Sequence, residues 1–139
     1  MKVKLQEVLE ALDGAGVDME YYYDTKNEEI LMIFDGMVNG ETDPELIEDI
    51  EEGFIEGYIP LPRQYDMNEY RMMEEFIYDL PAGRQDVLDA AIRGKGAFRR
   101  FKDRLYDFDL QEKWYKYRDD CYEQIARDWC ERFGIEIEE

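Results

Sequence analysis

The stretch MEYYYDTKNEEILMIF, residues 19–34, predicts a β-hairpin and thereby decides the fold class. Two runs of apolar and aromatic residues flank a polar turn at residues 24–28, which is the pattern of two paired strands. We expect these strands at about residues 19–24 and 29–35. Because an isolated hairpin is only marginally stable in water, helices from the rest of the chain are expected to cover it.

Helical periodicity on both sides of the hairpin predicts the covering elements. Apolar residues recur at the spacing of one helix face from Leu5 to Leu12, so residues 2–13 predict a helix. A further helix is predicted to begin at Pro44, with Thr42 or Asp43 as its N-cap. Other helices are predicted over residues 66–80, 86–93, 98–106 and 110–134. The predicted class is α+β and predominantly helical, with a small N-terminal antiparallel β-hairpin or sheet covered by about five helices. By its length, the chain of residues 1–139 is predicted to be a single domain.

Prolines and one candidate capping residue set the predicted boundaries in the middle of the chain. Pro60 and Pro62 require an extended or turn-like segment, so a short third strand is expected only at a sheet edge. Asp66 is predicted to cap the helix of residues 66–80, because Glu69 follows it at the spacing of a capping box.

The absence of two residue types removes the commonest enzyme designs. The chain contains no His and no Ser, so a Ser-His-Asp triad or a Cys-His pair is impossible and a zinc site within one chain is disfavoured. Carboxylates could still act with a hard cation, and the candidates are the pairs Glu74/Glu75 and Asp119/Asp120. Adjacent helical residues point about 100° apart, however. We therefore expect no enzyme activity, no catalytic residue, no metal and no cofactor.

Hydrophobicity and cysteine spacing predict a cytoplasmic protein. No apolar run approaches the roughly 20 residues that span a bilayer, and the N-terminus has the pattern of an amphipathic helix rather than a signal peptide. Cys121 and Cys130 lie about 13 Å apart if one helix carries both. A disulfide needs Cα atoms within about 7 Å, so we expect two free thiols, as in a reducing compartment.

Residues 41–56 contain eight acids and no base, in a chain whose formal net charge is -19. Apolar residues recur on one side of this segment, so one helix face is predicted to pack on a core while the acids face water. The apolar residues are Leu46, Ile47, Ile50, Phe54 and Ile55. The acids are the candidate partner-binding residues: Glu41, Asp43, Glu45, Glu48, Asp49, Glu51, Glu52 and Glu56. The alternative is that they only keep the protein in solution.

The stretch IRGKGAFRRFKDRL, residues 92–105, concentrates the basic residues. Residues 93–104 are here called the basic block. Six of these twelve residues are basic, and Asp103 is the only acid among them. The candidate anion-binding residues are Arg93, Lys95, Arg99, Arg100 and Lys102. We expect Phe98 and Phe101, which have core spacing, to anchor the block to the core.

Three interpretations of the basic block remain open. A phosphate site is possible because the glycines precede a helix N-terminus, but no strand precedes the loop and no Ser or Thr follows its lysine. A nucleic-acid contact is opposed by the net negative charge of the chain, which repels a polyanion. In the third interpretation the arginines pair with carboxylates where acidic helices converge and relieve their repulsion.

Four segments carry a resemblance to a known family. They are YIPLP (residues 58–62), EYRMMEEFI (residues 69–77), AIRGKGAFRRFKD (residues 91–103) and the helix that carries Trp114 and Trp129. In order and spacing they resemble Uncharacterised Protein Family 0158, a group of small bacterial proteins, over most of the chain. The resemblance implies a shared fold, and it implies no activity, cofactor or catalytic residue.

Charge and composition favour a non-catalytic, acidic interaction protein that binds a macromolecular partner. The most specific version of this hypothesis is an inhibitor that imitates nucleic acid, with carboxylates in place of phosphates. Such an inhibitor would occupy a basic groove of a nucleic-acid-handling protein, as some phage-encoded inhibitors do. We expect a protein partner, no direct nucleic-acid binding and no membrane association. The alternatives are a nucleotide or RNA-phosphate binder that uses residues 93–104, and a metal-dependent carboxylate enzyme.

Overall fold

The computed structural model describes residues 1–139, which form two compact units. One unit comprises Met1–Met67 and Tyr122–Glu139, and the other comprises Asn68–Cys121. The single domain expected from the chain length stays a prediction. The α+β class is confirmed, because six helices of nine or more residues accompany a five-stranded antiparallel sheet.

Strands lie mainly in the N-terminal half of the chain and helices mainly in the C-terminal half. The strands are β1 (Lys2–Lys4), β2 (Met19–Asp24), β3 (Glu29–Phe34), β4 (Met37–Val38), β5 (Glu41–Thr42), β6 (Tyr58–Pro60) and β7 (Glu136–Glu138). The helices are α1 (Leu5–Gly14), α2 (Pro44–Glu52), α3 (Gln64–Met67), α4 (Glu69–Tyr78), α5 (Ala82–Ala91), α6 (Ala97–Asp107) and α7 (Gln111–Phe133).

The predicted hairpin is present as β2 and β3, with bounds within one residue of those expected. Tyr22 lies opposite Leu31 in its register. The buried carboxylate of Asp24 closes the turn by accepting hydrogen bonds from the backbone N–H of Lys26 and from the side chain of Asn27, both at 2.9 Å. On its other side β2 pairs with β6, so the proline-containing strand lies at the sheet edge as predicted.

The sheet continues through a second, unpredicted hairpin of β4 and β5. Its turn residues Asn39 and Gly40 have φ angles of 52° and 85°, as a two-residue turn between paired strands requires. The side-chain oxygen of Asn39 also accepts a hydrogen bond from the backbone N–H of Met32 at 2.9 Å. The resulting strand order is β5-β4-β3-β2-β6.

The predicted helix of residues 2–13 is wrong at its start, because Lys2–Lys4 form β1 and α1 begins at Leu5. β1 pairs in parallel with β7, which places Val3 opposite Ile137. The phenol of Tyr23 donates a hydrogen bond to the carbonyl of Lys2 at 2.6 Å, which links β1 to strand β2 of the hairpin. The partner strand lies at the other end of the chain, where local periodicity carries no information about it.

The predicted cap at Asp66 is also wrong, because α3 ends at Met67 and α4 begins only at Glu69. Asn68 is the N-cap of α4: it has φ 50°, and its side chain accepts a hydrogen bond from the N–H of Arg71 at 3.3 Å. The carboxylate of Asp66 instead accepts from the N–H of Arg63 at 2.9 Å, which stabilises the first turn of α3.

The last three helices agree with the predictions except in the bounds of α5. α6 and α7 lie within one residue of the expected ranges. α5, however, begins at Ala82, four residues earlier than predicted, and ends at Ala91, two residues earlier. Its first turn is polar and gives no apolar repeat, and the side chain of Gln85 stabilises it by donating a hydrogen bond to the carbonyl of Tyr78 at 2.9 Å.

Each unit has an apolar core of its own. In the first unit, side chains of the sheet pack with the buried Ile50 of α2, while Tyr23 and Trp129 meet edge to face with ring centroids 6.2 Å apart. In the second unit, Trp114 lies edge to face against Phe101 at 4.9 Å and against Phe76 at 5.4 Å.

Both cysteines are free thiols, as predicted: Cys130 is buried and Cys121 is half-buried. Burial raises the pKa of both thiols, which keeps them protonated and poorly nucleophilic at neutral pH. None of the helices has both the length and the apolar content needed to cross a membrane.

Candidate partner-binding surface

The eight candidate acids lie on one continuous segment of the first unit, here called the acidic surface. They occupy β5, the N-cap and body of α2, and the turn that follows α2. Asp43 is half-buried and caps α2, because its carboxylate accepts a hydrogen bond from the N–H of Leu46 at 3.1 Å. The other seven are exposed, and none of them forms an ion pair: Glu41, Glu45, Glu48, Asp49, Glu51, Glu52 and Glu56.

Burial of the opposite side of α2 explains why these acids face water. Ile50 is 3% exposed and packs with Tyr22, Leu31 and Val38 of the sheet. Leu46 and Ile47 are partly buried against the same cluster. A helix whose apolar side is held on a core in this way must present its acids to solvent. The sequence prediction is confirmed for this part of the apolar stripe.

The prediction that the stripe includes Phe54 and Ile55 is wrong. α2 ends at Glu52, and the chain then turns, so the helical spacing of the two residues no longer applies. Phe54 is 47% exposed and Ile55 is 52% exposed. Phe54 keeps an edge-to-face contact with Tyr22 at 6.4 Å between ring centroids. Two large apolar side chains are therefore about half exposed next to seven unpaired carboxylates.

The backbone of Ile55 is strained. Its φ is 72°, a left-handed conformation that is a genuine outlier for a β-branched residue. Hydrogen bonds of the turn hold it there: the N–H of Ile55 donates to the carbonyl of Tyr58 at 2.9 Å, and the N–H of Gly57 donates to the carbonyl of Gly53 at 2.8 Å. Strain of this kind costs of order 1–3 kcal/mol and is concentrated at ligand clamps and switch regions.

Replacing Ile55 with glycine is expected to raise the free energy of unfolding by about 1 kcal/mol. Relief of the strain, of order 1–3 kcal/mol, exceeds the cost of about 0.5–1 kcal/mol for the more flexible unfolded chain. Urea unfolding followed by circular dichroism measures the change. Val17→Gly is the control, because Val17 is 91% exposed and has no positive φ, so glycine there should destabilise. An Ile55→Gly variant less stable than the natural chain would contradict the strain.

A groove of about 440 Å³ opens beside the Phe54–Ile55 turn. Its lining includes Trp129, whose indole donates a hydrogen bond to the carbonyl of Pro60 at 3.0 Å. The lining residues are Phe54, Ile55, Pro60, Leu61, Pro62, Arg63, Tyr65, Asp66, Trp129, Arg132 and Phe133. Sequence reasoning missed this groove because its walls come from segments about 70 residues apart in the chain.

Arg100, one of the candidate anion-binding residues, is directed at the protein backbone. Its Nε donates a hydrogen bond to the carbonyl of Ala91 at 2.9 Å, and its two terminal nitrogens donate to the carbonyls of Lys95 and Arg93. One guanidinium thus holds the loop between α5 and α6 closed. This side chain is structural and has few donors left for a ligand.

The remaining basic residues of the block form local contacts or none. Arg93 pairs with Asp89 at 3.2 Å, within four residues along the chain, and the ammonium of Lys102 lies 5.7 Å from the ring centroid of Phe98. Lys95 and Arg99 are exposed, and their side chains form no hydrogen bond or ion pair. The expectation that the block pairs with acidic helices elsewhere is therefore wrong, because its ion pairs involve near neighbours in sequence.

Only one of the two phenylalanines of the block anchors it, contrary to the prediction for both. Phe101 is fully buried against Phe76 and Trp114, whereas Phe98 is 41% exposed. Helical spacing alone placed both on the core side, but Phe98 lies in the first turn of α6, before the helix reaches the core.

The adjacent acid pairs do not assemble into a recognisable catalytic or metal centre. The carboxylate of Glu75 accepts a hydrogen bond from Tyr117 at 3.2 Å and pairs with Arg71 at 3.1 Å. No three or more side chains of Asp, Glu or Cys lie together as a group that could hold a metal ion. The carboxylate-enzyme interpretation gains no support from this geometry.

Alkaline pH is expected to destabilise the fold through its buried phenols. Burial, reinforced by a hydrogen bond to Glu20, raises the pKa of Tyr22. A raised pKa means that the folded state holds the phenol proton more tightly than the unfolded state does. The resulting stabilisation is fully present below the pKa of the unfolded chain, about 10, and is lost as pH rises through the pKa of the folded protein. Urea unfolding between about pH 8 and 11 should therefore show falling stability.

The Tyr22→Phe variant should reduce the slope of that pH dependence, because it removes the proton concerned. Tyr106→Phe is the matched control, since Tyr106 is 75% exposed and its replacement should leave the slope unchanged. Equal slopes in all three proteins would show that Tyr22 does not contribute to the alkaline destabilisation.

The fold and its surface together define an acidic α+β protein with an exposed carboxylate face and an aromatic groove. This chain belongs to the uncharacterised protein family UPF0158, whose family model matches residues 1–137. No curated protein and no solved structure matches the chain.

Proposed function

We propose that this chain is a non-catalytic interaction protein whose acidic surface binds a basic face of a protein partner. One observation carries the proposal: seven exposed carboxylates without ion pairs flank a turn in which Phe54 and Ile55 are about half exposed. Acids kept only for solubility need no apolar neighbours and no strained backbone.

This combination fits the physics of a specific interface. Complementary charge speeds association and rejects wrong partners, while buried apolar and aromatic anchors provide most of the affinity. Here the carboxylates would steer a basic partner, and Phe54 with Ile55 would be buried once it docks. Strain at Ile55 is consistent with this role, because the turn holds an isoleucine in solvent at a cost to stability.

The finer form of the proposal is an inhibitor that imitates nucleic acid and binds a nucleic-acid-handling protein in the cytoplasm. Five carboxylates between Glu45 and Glu52 lie along about 10 Å of helix, or about one charge per 2 Å. Double-stranded DNA carries about one charge per 1.7 Å of its axis. The density of negative charge on α2 is thus close to that of a duplex, although it extends over a much shorter length.

The test compares partner capture by two variants that have the same net charge. One replaces Glu48, Glu51, Glu52 and Glu56 with glutamine. The control replaces four exposed acids of the same unit, Glu7, Glu29, Glu136 and Glu138, with glutamine. Circular dichroism confirms that both are folded, and proteins captured from a cell extract are identified by mass spectrometry and retested as purified partners by calorimetry.

We expect the natural chain and the control to bind the same partner, and the acidic-surface variant to bind it at least tenfold more weakly. Equal binding by both variants would contradict the proposal, because the effect would then follow net charge rather than position. The proposal is also overturned if every partner of the natural chain is still captured by the acidic-surface variant, or if the natural chain captures no partner.

The second candidate function is binding of a nucleotide or RNA phosphate by the basic block. The observation that favours it is the uncommitted charge of Lys95 and Arg99, with Arg93 and Lys102 exposed nearby in the chain. Titration with ATP and with a short RNA in low salt tests it, because an electrostatic site should weaken with salt and with Arg99→Ala. A flat titration for the natural chain would remove this candidate.

A further inference from the structure

The groove beside Trp129 differs in charge from the rest of the molecule. Acids make up 36 of the 139 residues, so a random set of eleven would contain about three, yet Asp66 is the only acid among the eleven lining residues. Its carboxylate already accepts the N–H of Arg63 at 2.9 Å. Among the residues that line the groove, the two arginines therefore outnumber the single acid.

Of the two arginines in the groove, Arg132 is the uncommitted one. Arg63 donates to the phenol of Tyr22 at 3.3 Å and pairs with Glu20 at 3.4 Å, so its charge is partly used. Arg132 is exposed and forms no ion pair, and its guanidinium lies 5.4 Å from the ring centroid of Phe133. A guanidinium that lies on an aromatic face can donate hydrogen bonds to a carboxylate of a ligand, while the ring contacts an apolar side chain next to that carboxylate.

The groove cannot recognise its ligand by extending the sheet. Pro60 and Pro62 have no N–H to donate, and the carbonyl of Pro60 is already bonded to the indole of Trp129. Recognition must therefore rely on side chains: the aromatic and apolar walls take apolar groups, and Arg132 takes an anion. A volume of about 440 Å³ is in the range of ligand sites that hold a few side chains.

We propose that this groove binds an extended segment of a partner protein in which apolar and acidic side chains alternate, with a carboxylate of that segment on Arg132. Charge complementarity selects this occupant over a neutral or basic apolar segment. The groove is a second site, opposite in charge to the acidic surface, and it does not depend on the function proposed for that surface, although both include the Phe54–Ile55 turn.

Three labelled hexapeptides test this assignment by fluorescence anisotropy. They alternate leucine with glutamate, with glutamine or with lysine. The glutamate and glutamine peptides are nearly identical in shape and differ in charge, and the lysine peptide reverses the charge. The measurement is made at about 0.15 M salt, where a Debye length of about 8 Å screens the long-range repulsion from the net charge of the chain. The proteins are the natural chain, Arg132→Gln, and the control Arg71→Gln, which removes the same charge from an exposed position in the other unit.

We expect the natural chain to bind the glutamate peptide about fivefold more tightly than the glutamine peptide, and the lysine peptide least tightly. Arg132→Gln should abolish this preference while its circular dichroism is unchanged, and Arg71→Gln should keep it. Tyr65→Ala, at a 74% exposed aromatic of the groove, should weaken binding of the glutamate and glutamine peptides alike.

Three outcomes would overturn the assignment. They are no measurable binding of the glutamate peptide, tightest binding of the glutamine or lysine peptide, and a preference for glutamate that survives Arg132→Gln. None of them bears on the acidic surface, whose test replaces glutamates and leaves Arg132 in place.

Discussion

Replacing Arg100 with methionine is expected to lower the free energy of unfolding by about 2 kcal/mol. The substitution removes one guanidinium that donates to three backbone carbonyls of the α5–α6 loop, those of Ala91, Arg93 and Lys95. Hydrogen bonds to charged groups contribute about 1.5–3 kcal/mol each, and water can replace much of the loss because the loop is exposed and Arg100 is only half-buried. Methionine preserves the apolar part of the side chain, so the change isolates the guanidinium.

The matched substitution is Arg99→Met, one residue away. Arg99 is exposed and unpaired, so its replacement should change stability by no more than about 0.5 kcal/mol. Urea unfolding of both variants decides the point. Equal stability of the two would mean that Arg100 does not hold the loop. The pair also separates fold from binding, because loss of ligand binding in the Arg99 variant cannot be attributed to a damaged loop.

Trp114→Ala is expected to have the largest effect on stability, a loss of about 4 kcal/mol. The indole is 1% exposed and packs edge to face on Phe76 and Phe101, so alanine leaves a cavity at the centre of the Asn68–Cys121 unit. Large aromatic-to-alanine changes in a core cost about 3–5 kcal/mol.

Tyr115→Ala is the control for this substitution. Tyr115 follows Trp114 on the same helix but is 51% exposed, so its loss should cost less than about 1 kcal/mol. Urea unfolding followed by circular dichroism measures both. A Trp114 variant that loses no more stability than the Tyr115 variant would contradict the aromatic core of this unit.

The elements with strong local patterns could be predicted from the sequence, and the elements set by distant contacts could not. The β2–β3 hairpin, α6 and α7 were predicted within about a residue, because their apolar periodicity is long and uninterrupted. Local periodicity predicts helix at β1, because the strand's partner, β7, lies at the opposite end of the chain. The Asn39–Gly40 turn was a usable signal for the β4–β5 hairpin, but two-residue strands show no alternation.

The candidate sites divide in a similar way. The acidic surface could be predicted because charge and the burial of Ile50 both follow from the spacing on α2. The exposure of Phe54 and Ile55 could not, since it depends on where α2 ends. The sequence does not distinguish Arg100 from the other basic residues of the block, because its three carbonyl partners depend on the fold of the α5–α6 loop. The groove was not predicted because Trp129 and Pro60 meet only after folding.

Hydrogen exchange of the chain, free and bound to its purified partner, tests the central claim most directly. The claim is that the acidic surface is the binding face, so the amides of residues 41–56 should exchange more slowly in the complex, while those of the basic block, residues 93–104, should be unchanged. Mass spectrometry of peptides from each segment reads both regions in one experiment. Protection of residues 93–104 without protection of residues 41–56 would contradict the claim and would assign binding to the basic block instead.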